Sequence, residues 1–98
     1  MKKEERINQA YNKTKEKHGN ATIILFHVGN YFEAYYSDAG VLAQLTQLKQ
    51  YTVSGTIPFV RFPADEVELY MNKLADANHS VYISEVRGAS GRHILESL

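Results

Sequence analysis

The sequence predicts an α/β (α+β) domain: a mixed β-sheet flanked by helices, with elements in the order α-β-α-β-β-α-β. Stretches with helical apolar periodicity alternate along the chain with short β-branched and aromatic runs. Helices placed between strands imply a sheet with helices packed against it. A length of 98 residues, 44% of them hydrophobic, suits one core. We therefore expect a single domain over residues 1–98.

The first helix is predicted over residues 3–18. One apolar stripe recurs at positions i, i+3, i+4 and i+7, formed by Ile7, Ala10, Tyr11 and Thr14. Gly19 and Asn20 follow the last turn and supply a left-handed stop. The lysines outside the stripe are expected on a solvated helix face, with phosphate contact as the alternative; they are Lys13, Lys15 and Lys17.

Residues 22–28 form a nearly continuous apolar run that is too short for a helix. Such a run is typical of a central strand covered on both faces, with His27 as a core residue whose polar atoms are satisfied. Gly29 and Asn30 then break or bulge the strand, and residues 31–36 continue it with four aromatics. Three of these are predicted to pack in the core or against helices, namely Phe32, Tyr35 and Tyr36.

Either Ser37 or Asp38 can cap the second helix. Its buried stripe is predicted to be Val41, Leu42, Leu45 and Leu48. Two short strands, residues 51–54 and 56–62, then surround Gly55. Because Pro58 has no amide hydrogen, the second of them is expected at an edge of the sheet or irregular.

The third helix follows Pro63, and Asp65 with Glu68 three residues later predicts a capping box. Its apolar stripe is predicted to be Val67, Tyr70, Met71 and Leu74, and Asn78 is the predicted stop. Residues 80–86 alternate as a strand does. Residues 87–98 are expected to be a tail, either a last short strand or a frayed helix.

Composition excludes several classes of protein. The chain has no cysteine, so disulfides and thiolate metal sites are excluded. It has no run of the roughly 20 apolar residues that cross a bilayer and no apolar signal region after its charged start. The four histidines lack metal-ligand spacing. We therefore expect a cytoplasmic protein without metal or cofactor, and with no membrane or small-molecule partner.

The charge is balanced overall but unevenly distributed. Eleven basic and eleven acidic side chains cancel, whereas a strong non-specific nucleic-acid binder normally has a basic excess. Residues 1–20 carry six basic and three acidic side chains, and residues 65–76 carry four acidic ones and one lysine. One end of the chain can therefore face phosphate, and the other is expected to avoid it.

Three short motifs occur in a fixed order along the chain. Each is weak evidence by itself, but the ordered set is specific enough to indicate a protein family. The first strand ends in Val28-Gly29-Asn30-Tyr31-Phe32-Glu33, and Asp38-Ala39 opens a helix. Pro63 then precedes a helix with Tyr70, Lys73 and Leu74, followed by a strand ending in Glu85. Over about residues 11–86 this arrangement resembles the N-terminal mismatch-recognition domain of the MutS DNA mismatch-repair family.

The resemblance implies a set of DNA-binding residues. By position, Tyr31 corresponds to the family's phenylalanine that stacks on a mispaired base, and Glu33 to the glutamate that hydrogen-bonds to that base. Asn30 stands where the family has aspartate, and Lys49 is what remains of a basic stretch. Residues i and i+2 of a strand share a face, so Tyr31 and Glu33 can engage one base together.

The resemblance thus implies a non-enzymatic DNA-binding module whose partner is double-stranded DNA with a mismatch or distortion, bound weakly by this domain alone. The chain has no G-x-x-x-x-G-K-[ST] loop, which argues against an ATPase. A nuclease site of Glu33, Asp38 and Lys49 lacks a second acidic ligand at suitable spacing.

The alternative is a protein-interaction or regulatory module that keeps the fold without reading DNA and binds a repair protein. The neutral net charge, the missing basic stretch and tyrosine in place of phenylalanine favour it. A basic rim around Tyr31 would favour DNA, and an acidic or covered one would favour the alternative.

Overall fold

A computed structural model describes residues 2–85, and its elements alternate between helices and strands. They are α1 (Lys3–His18), β1 (Ile23–Val28), β2 (Tyr31–Tyr35), α2 (Ser37–Leu45), β3 (Tyr51–Val53), β4 (Ile57–Pro63), α3 (Val67–Asp76) and β5 (Val81–Ser84). A short 3-10 turn, Ala64–Glu66, precedes α3. The predicted tail of residues 87–98 lies outside the described residues. Between residues 2 and 85, no helix is long and apolar enough to span a bilayer.

The strands form one sheet in the order β3-β4-β2-β1-β5. Strand β5 pairs with β1 in parallel, and the other neighbours are antiparallel. This confirms the predicted mixed sheet. Strand β1 lies between β2 and β5, and its first four residues are buried, which confirms the prediction of a central strand.

The run from residue 22 to 36 is a β-hairpin and not one interrupted strand. Gly29 and Asn30 form its two-residue turn, because Val28 is paired with Tyr31. Gly29 has a φ of 63°. The first residue of a two-residue hairpin turn requires a positive φ, which glycine adopts without strain. The described sheet therefore has five strands where four were predicted. A two-residue turn is too short to appear in the sequence as a polar loop, so the change of chain direction was not predicted.

Pro58 does not place its strand at an edge, since β4 lies between β2 and β3. The carbonyl of Pro58 accepts a hydrogen bond from the amide of Tyr36 at 2.9 Å. A residue of an antiparallel strand points its N–H and C=O to the same side, so an amide here would face the carbonyl of Tyr36. That carbonyl instead accepts from the amides of Ala39 and Gly40 at the start of α2. The proline therefore removes no ladder hydrogen bond.

The core has two layers, one on each face of the sheet. Helices α2 and α3 cover a cluster whose buried members are Ile23, Leu25, Phe32, Ala34, Ala39, Leu42, Val60, Phe62 and Leu74. Helix α1 covers the other cluster, formed by Ile7, Tyr11, Ile24, Phe26, Tyr35 and Ile57. The alternation of side chains along each strand separates the two layers.

Both predicted helix caps are wrong. Helix α2 begins after Tyr36 and α3 after Glu66, and neither of these residues makes a side-chain capping hydrogen bond. Asp38 turns its carboxylate towards α1 and β1, and Asp65 lies within the 3-10 turn. The predicted end of α3 is confirmed: Asn78 has a φ of 66°.

The predicted apolar stripes are confirmed in part. Helix α2 ends at Leu45, whose side chain is 39% exposed, and Leu48 packs against the core from the following connection. In α1 the stripe includes a residue predicted to be solvated. Lys15 is buried, and its Nζ lies 2.7 Å from Oδ1 of Asp38. Lys13 and Lys17 are exposed as predicted.

Candidate nucleic-acid interface

Tyr31 and Glu33 lie at the start of β2, on the face of the sheet that α1 covers. Tyr35 shares this face two residues further along and is buried in the cluster under α1, which does not include Tyr31. The side chain of Tyr31 is 38% exposed, and that of Glu33 is half-buried. The hairpin turn thus places the ring of Tyr31 at the solvent-exposed end of this face.

Arg61 lies against Tyr31. In the antiparallel register Arg61 is opposite Glu33, and Pro63 is opposite Tyr31. The guanidinium carbon of Arg61 lies 3.7 Å from the centroid of the Tyr31 ring, which is a stacked cation–π contact. One face of the ring therefore carries a positive charge, and the contact orients the ring.

Lys49 makes a second contact of the same kind. Its Nζ lies 5.6 Å from the ring centroid of Tyr51, the first residue of β3. A groove of about 400 Å³, here called the tyrosine groove, runs between the two pairs; it is lined by Tyr31, Gln47, Leu48, Lys49, Tyr51, Phe59 and Arg61. None of the lining residues is acidic, so this side of Tyr31 has a basic rim.

Asn30 faces a different cleft. This cleft of about 550 Å³ is lined by His27, Gly29, Asn30, Tyr31, Pro63, Ala64 and Asp65. The carbonyl of Asn30 accepts a hydrogen bond from the amide of Ala64 at 2.8 Å, which ties the hairpin turn to the 3-10 turn that follows β4. Tyr31 lines both concavities, so its ring stands between them. Of the four predicted residues, Tyr31 and Lys49 line the tyrosine groove, Asn30 and Tyr31 line this cleft, and Glu33 lines neither.

His27 is half-buried rather than enclosed in the core. Its Nδ1 lies 2.8 Å from Oε1 of Glu85, and its ring stacks on Phe32 at a centroid distance of 4.5 Å. With Asp65 in the lining and Glu85 paired to His27, the cleft at Asn30 carries acidic groups that the tyrosine groove lacks. Phosphate is therefore favoured in the groove and disfavoured in this cleft.

Glu33 is held by a neighbour on its own strand. The phenol of Tyr35 donates a hydrogen bond to Oε1 of Glu33 at 2.7 Å. Burial raises the pKa of Tyr35 far above its usual range, so the phenol remains protonated and remains a donor at any physiological pH. The carboxylate of Glu33 is thus oriented before any ligand arrives.

Removing this donor tests the role of Tyr35. We expect Tyr35→Phe to lower the free energy of unfolding by about 1–2 kcal/mol, because a hydrogen bond to a charged acceptor is lost while half-buried Glu33 keeps some access to water. Urea unfolding measures the change. Tyr11→Phe is a matched control, since its phenol bonds to a neutral hydroxyl, that of Ser37. Equal losses in both variants would contradict the orienting role.

The nuclease alternative finds no support in the geometry. Asp38 is buried and paired with Lys15, whereas Glu33 is engaged by Tyr35. No group of three potential metal-ligating side chains occurs between residues 2 and 85.

Arg61 and Tyr51 were not identified as site residues from the sequence. Their strands are far from residues 30–33 along the chain, and only the β2–β4 and β3–β4 pairings bring them alongside Tyr31. The alternation of side chains along a strand was a usable signal, because it predicts that Arg61 shares one face of its strand with Phe59 and Pro63. It did not identify the strand that pairs with it.

Comparison with known proteins gives a consistent result. Residues 5–93 match the family described as MutS domain I. The proteins named DNA mismatch repair protein MutS from Chlamydia pneumoniae and Trichodesmium erythraeum are 31% and 30% identical, over 89% and 79% of this chain. That from Chlamydia abortus is 30% identical over 86%. The chain spans only about a tenth of the length of these relatives.

Proposed function

Because this chain belongs to the MutS domain I family, we propose that it is a non-enzymatic DNA-binding module that contacts mispaired or distorted DNA through Tyr31 and Glu33. The observation that carries the proposal is the exposed Tyr31 ring, which is oriented by Arg61 beside a groove without acidic lining. A basic rim is what phosphate approach requires.

The ring of Tyr31 acts as the wedge in this proposal. Arg61 lies over one face of the ring, and in this proposal a base stacks on the other face. Stacking of a base on an aromatic side chain contributes about 1–3 kcal/mol. A mispaired step is already poorly stacked, so inserting a ring there costs less than at a paired step. The phenol hydroxyl needs a partner or water when the ring is inserted.

Glu33 contributes discrimination rather than affinity. An ionised carboxylate only accepts hydrogen bonds, so it selects a base edge that offers an N–H donor. It also repels phosphate, which disfavours approach of an ordinary backbone to this position. Because Tyr35 orients the carboxylate, little side-chain freedom remains to be lost on binding.

A protein-interaction module remains the second candidate. The neutral net charge favours it, because phosphate neutralisation supplies most non-specific affinity for nucleic acid. The basic rim beside Tyr31 favours DNA instead. Since eleven basic and eleven acidic side chains cancel, we expect the affinity of this domain for DNA to be weak.

The test compares mispaired, bulged and fully paired duplexes by fluorescence anisotropy at low salt. Wild type is expected to prefer the mispaired and bulged duplexes. Tyr31→Ala is expected to weaken binding to them by roughly 5- to 150-fold, which corresponds to the loss of about 1–3 kcal/mol of stacking.

Tyr82→Ala is the matched control, because Tyr82 is a tyrosine of similar exposure, 37%, on the edge strand β5, which β1 separates from β2. It is expected to bind as wild type does. Equal affinity of wild type for all three duplexes, or an unchanged preference in Tyr31→Ala, would refute the proposal. In that case a protein partner recovered on immobilised wild type would identify the second function.

A further inference from the structure

The tyrosine groove has exposed aromatic surface beyond the wedge. Tyr51 is 47% exposed, more than Tyr31, and the two residues lie on the same groove. Leu48 and Phe59 also line it, and the rings of Tyr51 and Phe59 lie 5.8 Å apart. Tyr51 thus presents an exposed aromatic ring with a second ring beside it, tilted by 37°.

Positive charge accompanies each of the two exposed rings. Lys49 lies over Tyr51, and Arg61 lies over Tyr31. Glu33, directly opposite Arg61 in the sheet register, already accepts a hydrogen bond from Tyr35. Aromatic platforms interleaved with cations are how proteins bind single-stranded nucleic acid: bases stack on the rings, and phosphates meet the cations.

The dimensions of the groove agree with one unpaired nucleotide. Its volume of about 400 Å³ falls in the roughly 300–1,000 Å³ of small-ligand sites. A paired base inside a duplex has both faces stacked and its pairing edge occupied, so it has no free face to offer Tyr51. A nucleotide displaced from the stack has a free face, and Tyr31 lies beside the groove that would receive it.

We propose that the tyrosine groove binds an unpaired DNA nucleotide, with its base on Tyr51 and its phosphate between Lys49 and Arg61. This inference rests on the proposed function, because Tyr31 at the rim is the residue that would displace the nucleotide. It adds a site for the displaced nucleotide itself, formed by the connection after α2 and by strands β3 and β4.

The test uses a fluorescent oligothymidylate of about ten nucleotides, with anisotropy measured as a function of salt. Tyr51→Ala is expected to weaken binding roughly 5- to 150-fold, and Tyr51→Phe, which keeps the ring, is expected to bind as wild type does. Lys49→Gln is expected to reduce the slope of log K against log salt concentration by about 0.7, the value for one single-strand phosphate contact.

Two controls match these variants. Tyr82→Ala removes an exposed tyrosine from the opposite edge strand, and Lys73→Gln removes an exposed lysine from α3, on the other face of the sheet. Both are expected to bind oligothymidylate as wild type does. Circular dichroism confirms that each variant is folded before binding is compared.

The outcomes separate this inference from the proposed function. Failure of wild type to bind oligothymidylate, or unchanged binding by folded Tyr51→Ala, overturns the groove site. The proposed function is judged separately, by whether wild type distinguishes mispaired from paired duplexes that contain no unpaired nucleotide. If Tyr51→Ala loses oligothymidylate binding but wild type shows no preference for mispaired duplexes, the groove site is supported and the proposed role of Tyr31 as a wedge is refuted.

Discussion

Replacing Lys15 by methionine is expected to lower the free energy of unfolding by about 3–5 kcal/mol, because it leaves a buried carboxylate without its partner. Lys15 is 5% exposed and Asp38 2%. The ammonium donates to Asp38 Oδ1 at 2.7 Å, to the carbonyl of Asn20 at 3.0 Å and to that of Thr22. The other oxygen of Asp38 accepts from the amide of Ile24 at 3.0 Å. The pair thus joins α1, β1 and α2.

The loss should depend on pH. Burial raises the pKa of Asp38, while hydrogen bonds from Lys15 and from the Ile24 amide oppose the rise. Without Lys15 the pKa of Asp38 rises further. A carboxyl whose pKa is raised in the folded state holds its proton where the unfolded chain has released it, so stability falls as pH rises through the folded-state pKa. Urea unfolding should therefore show a larger loss at about pH 7 than at about pH 4.

Lys17→Met is the matched control for this prediction. Lys17 is an exposed lysine on the same helix, so its replacement is expected to change the free energy of unfolding by no more than about 0.5 kcal/mol. If Lys15→Met lost no more than Lys17→Met, or if its loss were the same at both pH values, the ion pair would not contribute as proposed.

Phe62→Ala is expected to lower the free energy of unfolding by a similar amount, about 3–5 kcal/mol. Phe62 is 1% exposed, and its ring stacks against Tyr70 of α3 at 4.2 Å and Phe32 of β2 at 5.8 Å between centroids. Truncation leaves a cavity between the sheet and α3 that these two rings cannot fill without moving. With a urea dependence of about 1–3 kcal/mol per molar, the midpoint should fall by at least about 1 M.

Two further variants define the cause of this loss. Phe62→Leu keeps most of the buried volume and is expected to lose clearly less than Phe62→Ala. Leu69→Ala shortens a side chain on α3 that is 50% exposed and is expected to lose little. A loss in Phe62→Ala that did not exceed the loss in Leu69→Ala would show that the cavity term is absent. Phe62 faces α3 while its neighbour Arg61 faces the groove, so the variant tests the support of the site without altering its lining.

Local sequence patterns were sufficient to predict most of the helices and strands. The i, i+3, i+4, i+7 stripes of α1 and α3 and the continuous apolar run of β1 predicted those elements with the correct bounds or nearly so. Each pattern is written in neighbouring residues, because the period of a helix or a strand decides which of its side chains are buried. The stops at Gly19 and Asn78 were also local, and both residues have a positive φ.

Part of the candidate site was also accessible from sequence. Tyr31, Glu33, Asn30 and Lys49 were named from a motif and its neighbourhood, and their roles in binding stay predictions. That Tyr31 and Glu33 share a face follows from the period of a strand alone. The contacts of these residues did not follow from the strand period. The contact of Arg61 with Tyr31 depends on the strand register, and the hydrogen bond from Tyr35 to Glu33 depends on the packing.

The sequence by itself thus determined the α/β class, the helices and the Tyr31-Phe32-Glu33 motif at the start of β2. Only the tertiary structure decided that Lys15 is buried against Asp38, that Pro58 lies inside the sheet, and that Tyr51 and Arg61 flank the tyrosine groove. The physical reason is the same in each case. The energy of a charge, a missing amide or an exposed ring depends on what lies opposite it, and these partners come from segments distant along the chain.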